Sequence, residues 1–324
     1  MNQYKHAMAA AFVLLVGLFS ATAFAQTYPS KPVRVIVAFA PGGGTDVYGR
    51  LIMQRLGERL GEARVLVENR PGGGGYIGAE IAAKAPPDGH TLFFTAANIV
   101  MSLKLYPKQP VDPMKDFQPV SLLVKEPSLL VVHPSLPVKN VKELIALGRA
   151  HPGKVNYGGG IGTSSHLNTE LFKYLAKVAL VNIPYSGGTG PAVIGALTGE
   201  APVMISPISA VIGHVKSGRL RALGVTLPER AASLPDIPAI AEFLPGYAAF
   251  QWYGVLAPAG TPAPIVTRLN EELAKVMQIP ELKARIASEG SVSMSSTPQQ
   301  FLAHMREEAI KWAKVVEVSG AKAN

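Results

Sequence analysis

The sequence predicts an α/β protein of two domains with a cleft between them, and three observations carry that expectation. Short apolar runs alternate with amphipathic helical segments along nearly the whole chain. The alternation occurs twice, interrupted near residues 121–133, and a late apolar strand reads as a return to the first unit. The length, 324 residues, exceeds one comfortable core.

Val33–Phe39 is a buried-strand run, followed by a Gly-rich turn and a helix over Asp46–Leu60 with Val47, Ile52 and Leu56 on one face. Arg64–Val67 is the next strand. Asn69–Gly75 is a Gly/Pro loop, a helix passes through Ile77 and Ile81, and Asp88-Gly89 turns the chain into the strand Thr91–Thr95. This βαβαβ order implies a parallel sheet with right-handed crossovers. Ser121–His133 reads as two apolar runs broken by Pro127 and as the first crossing between domains.

In the second unit, Asn140 with Glu143 caps a helix over Val141–Ala150. Lys154–Tyr157 is a strand, Gly158–Gly162 a Gly-rich loop, and Thr163–Leu175 a helix. Ala179–Ile183, a helix to Thr198, Val203–Ser206, a helix to Lys216 and Leu220–Val225 complete it. Trp252–Ala257 is the returning strand, and three helices follow: Pro264–Met277, Pro280–Glu289 and Thr297–Val318. The expected division is residues 26–126 with 249–324 as one domain and 127–248 as the other.

Residues 1–25 read as a cleaved signal peptide: Lys5 and His6, the apolar run Ala7–Phe19, then Ala23-Phe24-Ala25 as the cleavage pattern. The apolar run falls short of the roughly 20 residues that span a bilayer. The mature chain is expected to begin at Gln26 and, in a bacterium, to work in the periplasm, where ATP- and NAD-dependent chemistry is not expected; no cofactor is assigned. The chain has no cysteine, which excludes disulfides, thiolate metal sites, a Cys nucleophile and an N-terminal lipid anchor on Cys. A net charge of +9 raises nucleic acid, anionic membrane or an anionic ligand as partners. Lys and Arg are scattered without interleaved aromatics, so nucleic acid is not expected.

Four loops each follow a strand and open a helix: Pro41–Asp46, Asn69–Gly75, Gly158–Ser164 and Pro184–Thr189. Helix N-termini offer free N–H groups and partial positive charge, and so suit anions. None carries the Lys-Ser/Thr ending of a phosphate loop. The first, third and fourth lack a cationic side chain, which favours carboxylate over phosphate. A micromolar ligand needs about 8 kcal/mol, and hydrogen bonds to a charged group contribute roughly 1.5–3 kcal/mol each, so four to six neutral donors suffice.

The residues also carry a family pattern. Pro41-Gly42-Gly43-Gly44-Thr45-Asp46, Glu68-Asn69-Arg70-Pro71-Gly72, Pro87-Asp88-Gly89-His90-Thr91-Leu92, Pro152-Gly153-Lys154-Val155-Asn156-Tyr157, Ile183-Pro184-Tyr185-Ser186-Gly187, Gly218-Arg219-Leu220-Arg221-Ala222-Leu223, Leu234-Pro235-Asp236-Ile237-Pro238 and Ala257-Pro258-Ala259-Gly260-Thr261-Pro262 occur in that order. Over essentially the whole mature chain this resembles the Bug/TctC family of extracytoplasmic solute receptors, which serve tripartite tricarboxylate transporters. The resemblance implies a type II periplasmic-binding-protein fold with Venus-flytrap closure. It also implies a small carboxylate ligand held by loops of both domains, Pro41–Asp46 and Ile161–His166, often through bridging waters. Two positions depart from the family pattern: Ser186 stands where Lys is frequent, removing a charge near the cleft, and Ala239 stands where Thr is frequent.

The candidate ligand-binding residues are Pro41, Gly42, Gly43, Gly44, Thr45, Asp46, Asn98, Gly162, Thr163, Ser164, Ser165, His166 and Tyr185. Asp46, in a helix's first turn, is favoured as a structural carboxylate, since bare it would repel an anion. Tyr185 and Trp252 are favoured as core or hinge over contact. Arg70 is expected to bond loop carbonyls. His166 is open between donating to the ligand and packing in the wall. No metal site is expected, because the histidines lack ligand spacing. Ser164 with His166 does not face as a nucleophile and base on one helix, so no catalytic residue is assigned. The expected function is a monomeric periplasmic receptor that delivers a small carboxylate to a tripartite tricarboxylate-type membrane transporter. The alternatives are an exported sensor module and, less favoured, an exported hydrolase.

Overall fold

The computed structural model describes residues 28–61, 65–231, 233–288 and 290–322. The signal-peptide reading and its cleavage position lie outside these residues, as do the ends of the expected Arg64 strand and Glu289 helix. The first βαβαβ unit is β1 (Val33–Val37), α1 (Gly44–Arg59), β2 (Val65–Asn69), α2 (Tyr76–Ala83) and β3 (Thr91–Ala96). β1 lies between β2 and β3 and is parallel to both, as the alternation predicts. A short helix, α3 (Asn98–Met101), follows β3; four residues are too few to leave a periodic signal.

β4 (Phe117–Val132) is the largest departure from the expected pattern. It is one nearly fully buried strand of 16 residues, where the sequence reads as two runs broken at Pro127. Pro127 is tolerated because the strand changes neighbours there. Phe117–Pro127 pairs antiparallel with β9 (Phe250–Pro258), while Ser128–Val132 pairs with β7 (Val203–Pro207) and β8 (Arg221–Val225). Proline has no N–H to give the ladder, and the next donor, Ser128 N–H, goes to Thr226 Oγ1 at 2.8 Å. Pro119 sits at a register shift of the same strand.

The second unit is α4 (Val141–Ala150), β5 (Val155–Gly158), α5 (Ser164–Ala176), β6 (Leu180–Ile183), α6 (Thr189–Thr198), β7, α7 (Ile208–Lys216) and β8. The α4 cap is as predicted, with Asn140 Oδ1 accepting from Glu143 N–H at 2.9 Å. β5 is parallel to β6 and β7. β9 runs antiparallel between β3 and β4, so the strand order is β2-β1-β3-β9-β4-β7-β5-β6, with β8 and β10 (Val292–Ser293) also on β4. Helices α8 (Ala263–Val276), α9 (Pro280–Ser288) and α10 (Pro298–Ser319) close the chain. Trp252 of β9 is fully buried and meets Phe301 of α10 edge-on at 5.4 Å, a core position as favoured. α10 packs on β4, α3 and α5. Among the described residues, no helix is long and apolar enough to cross a membrane.

Candidate ligand-binding site

The loop from β1 to α1 is built by its own carboxylate. Gly42 takes φ +86°, a conformation that favours glycine, and its N–H donates to Asp46 Oδ2 at 3.1 Å. Asp46 Oδ1 accepts from Arg50 Nε and Asn69 Nδ2, both at 2.9 Å. Asn69 Nδ2 also reaches Phe39 O at 2.8 Å. Asp46 thus organises the loop and is neutralised inside it, the structural role favoured from its position in the helix. Arg70 differs from expectation: its guanidinium pairs with the Glu68 carboxylate, which stands close by at the end of β2.

With Asp46 turned inward, the start of α1 is left open. Gly43 is its N-cap with no side-chain cap, and the N–H groups of Gly44 and Thr45 have no acceptor among the described hydrogen bonds. The start of α5 is built differently. Gly162, at φ +77°, donates its N–H to His166 Nδ1 at 3.3 Å. Thr163 Oγ1 donates to Gly160 O at 2.6 Å and accepts from His166 N–H at 3.4 Å. Ser164 N–H has no acceptor among the described hydrogen bonds, and neither have Thr189 and Gly190 N–H at the start of α6.

These three helix starts converge. Gly43, Gly44 and Thr45 face Thr163, Ser164, Thr189 and Gly190 across a narrow cavity of about 20 Å³, closed by Phe39, Gln251 and Tyr253. Among the described residues, no charged side chain lines it. A wider cavity of about 250 Å³ adjoins, sharing Phe39, Thr163 and Gly187 and bounded by Gly72–Gly75, Tyr106, Ile161 and Pro184–Gly188. Peptide donors and three helix dipoles make the narrow end a place for negative charge.

The other candidates do not line the narrow cavity. Pro41 and Gly42 lie on the exposed side of their loop. Asn98 Nδ2 donates to Gly74 O at 2.8 Å, so it props the glycine loop of the wider cavity without lining either cavity. Ser165 is fully buried with an unpartnered hydroxyl, and Gly162 is part of the turn behind Ser164. Tyr185 lines the wider cavity and donates to Glu200 Oε2 at 2.9 Å.

His166 is buried against the Tyr157 ring, with Nδ1 accepting from Gly162, so its proton sits on Nε2, facing Glu170 at 4.0 Å. Tyr157 and Lys173 both donate to the same Glu170 oxygen at 2.6 Å. Burial holds the His166 pKa below its ordinary value; the Glu170 carboxylate opposes that shift and Lys173 adds to it. Protonation would cost the ring its Gly162 bond. A depressed folded pKa means stability present above about pH 6.5, the unfolded value, and lost as pH falls through the lowered one. The melting temperature should therefore fall from pH 7 to pH 5, and more gently in His166→Gln. His304 and His214, also held low by burial, keep a residual slope. An identical slope in the variant would take His166 out of the pH response.

Sequence reading missed Gln251, Tyr253 and Glu126. Glu126 is fully buried on β4, accepting Ser209 N–H at 2.7 Å at the start of α7 and the Tyr253 hydroxyl. Burial, with the Glu126 carboxylate adding to it, pushes the Tyr253 pKa well up, so the phenol stays a donor. Gln251 Oε1 is unpartnered at the cavity wall. Glu126 lies inside the strand whose continuity the prolines concealed, which hid its central position.

The matching family model, over residues 49–321, is described as the tripartite tricarboxylate transporter family receptor. Protein BugT of Bordetella pertussis is 36% identical over 318 residues, covering 95% of this chain and 97% of BugT. Among solved structures, R. palustris Rpa4515 with adipate is 34% identical with a TM-score of 0.87, covering 91% of this chain and 99% of that one. MatC from Rhodopseudomonas palustris, with bound malate, is 32% identical with a TM-score of 0.85, covering 89% and 100%.

Proposed function

The chain belongs to the tripartite tricarboxylate transporter family of receptors, and from that premise we propose that it captures a small carboxylate between the starts of α1, α5 and α6 and hands it to a membrane transporter of the tripartite type. Its fold is the two-domain periplasmic-binding-protein fold, type II, that the sequence resemblance implies. The observation that carries the reading is the convergence of free helix-start N–H groups on a cavity without charged side chains. The liganded relatives support it: one structure holds adipate and the other malate.

In this reading residues 26–126 with 249–324 form one moving body and residues 127–248 the other. The α1 loop belongs to the first, and the α5 and α6 loops to the second. A carboxylate that bonds donors of both shifts the population towards the closed form. Closure also excludes water, which strengthens each hydrogen bond. The protein is exported after cleavage following Ala25, works as a periplasmic monomer, and does no chemistry on its ligand. Consistent with that, the His166 nitrogens are directed at Gly162 and Glu170 and not at the Ser164 hydroxyl.

A thermal-shift screen tests the reading. A bound carboxylate at 100 times its Kd should add about 2.7 kcal/mol to stability. A melt moved only by neutral sugars or cations, and by no carboxylate, would refute it.

A further inference from the structure

We propose that the preferred ligand is an aromatic monocarboxylate, its carboxylate in the narrow cavity and its ring in the wide one. This rests on the receptor reading above and names the ligand class for the same site.

The sizes of the two cavities assign the two ends of the ligand. The narrow one, about 20 Å³, is little more than the roughly 10–15 Å³ that admits one water. It takes the oxygens of a carboxylate and not the body behind them. The body is assigned to the neighbouring space of about 250 Å³, which shares Phe39, Thr163 and Gly187 with the narrow cavity. An apolar cavity of about 150 Å³ already accommodates benzene, so one substituted ring fits.

The wall of the wide cavity has the chemistry of a ring site. Phe39, Tyr106 and Tyr185 line it with Ile161, and the glycine loops add flat backbone surface. The tyrosine hydroxyls are engaged in holding the wall: Tyr106 donates to Ile161 O at 3.2 Å and Tyr185 to Glu200 at 2.9 Å. With those hydroxyls occupied, the three side chains offer a ligand aromatic carbon, on which a ring packs in offset or edge-on geometry. Among the described residues, no Lys, Arg or His lines this cavity. A second carboxylate placed against the aromatic carbons would find no cation to pair with, and Glu200 behind Tyr185 would repel it.

Titration calorimetry of the purified protein with benzoate, adipate and malate tests the assignment. Benzoate is expected to bind at least tenfold tighter than either dicarboxylate. Ser186 is an exposed residue on the wall of the wide cavity, so Ser186→Lys adds a cation there without disturbing the core. It should move the benzoate-to-adipate ratio at least tenfold towards adipate. Adipate or malate binding as tightly as benzoate would overturn the ligand class while leaving the receptor reading intact. Binding by none of the three, nor by any other carboxylate, would overturn both. An unshifted ratio in Ser186→Lys, or benzoate binding that survives Gly43→Val, would place the ring elsewhere and count against the proposal.

Discussion

Gly43→Val is expected to abolish ligand binding while leaving the protein folded. Gly43 has φ −82° and ψ 164°, extended backbone that valine adopts readily. A Cβ there meets only Ala40 O, at 3.9 Å, in the free protein. The cost to folding is that of a poorer N-cap, about 1 kcal/mol or less, or a fall of about 2–4 °C in melting temperature. Binding fares differently, because Gly43 lines the narrow cavity and a branched side chain competes with the carboxylate for about 20 Å³. Losing two hydrogen bonds to a charged group costs about 3–6 kcal/mol, which is at least two orders of magnitude in Kd. Gly44→Ala contrasts with it in stability. Its Cβ would run into the Tyr253 hydroxyl, so this change should lower stability by disturbing the Tyr253–Glu126 hydrogen bond. Calorimetry and thermal melts on the two variants check both. Near wild-type affinity in Gly43→Val would take the α1 loop out of the site.

That contrast marks where the sequence was legible. The run Gly42-Gly43-Gly44 announces a loop with more glycine than a turn needs, and the structure gives each residue a different reason. Gly42 needs positive φ, Gly43 leaves the cavity open, and Gly44 makes room for Tyr253. The first reason is local and readable from the loop itself. The third depends on a residue some two hundred positions away, which no local pattern reveals. The alternating strands and helices were legible for the same local reason: periodicity and caps such as Asn140–Glu143 act within a few residues. β4 was misread because proline is a strong local breaker, and only the exchange of neighbours at Pro127 shows why it is harmless there. In the site, the loops could be named because glycine and hydroxyl residues cluster at helix starts. Gln251, Tyr253 and Glu126 could not, because polar residues in buried strands carry no periodic signal of what they face.

Glu126→Ala should be among the most destabilising single changes in the protein, at about 3–5 kcal/mol. The carboxylate is fully buried, and Ser209 N–H and the Tyr253 hydroxyl both depend on it. Truncation leaves a buried hydroxyl and a half-buried N–H without that acceptor, at about 1–3 kcal/mol each with the buried one at the upper end, and adds a small cavity. Glu126→Gln separates hydrogen bonding from charge. Its amide oxygen can still accept from Ser209, and its amide nitrogen can donate to the Tyr253 oxygen once that hydroxyl turns, so the loss should be nearer 1–2 kcal/mol. The position gives the network a second consequence. Glu126 lies one residue before Pro127, where β4 passes from β9 to β7 and β8, and it ties the start of α7 to Tyr253, which packs against Gly44 in the α1 loop. A weakened tie loosens the crossing and the ligand loop together. Glu126→Gln should therefore lower affinity by more than its small stability loss implies, whereas a surface variant of equal stability should bind normally. Denaturant unfolding of both Glu126 variants, with calorimetry on Glu126→Gln, measures the two effects. Equal losses for Ala and Gln would show that the charge, and not the hydrogen bonds, holds the crossing.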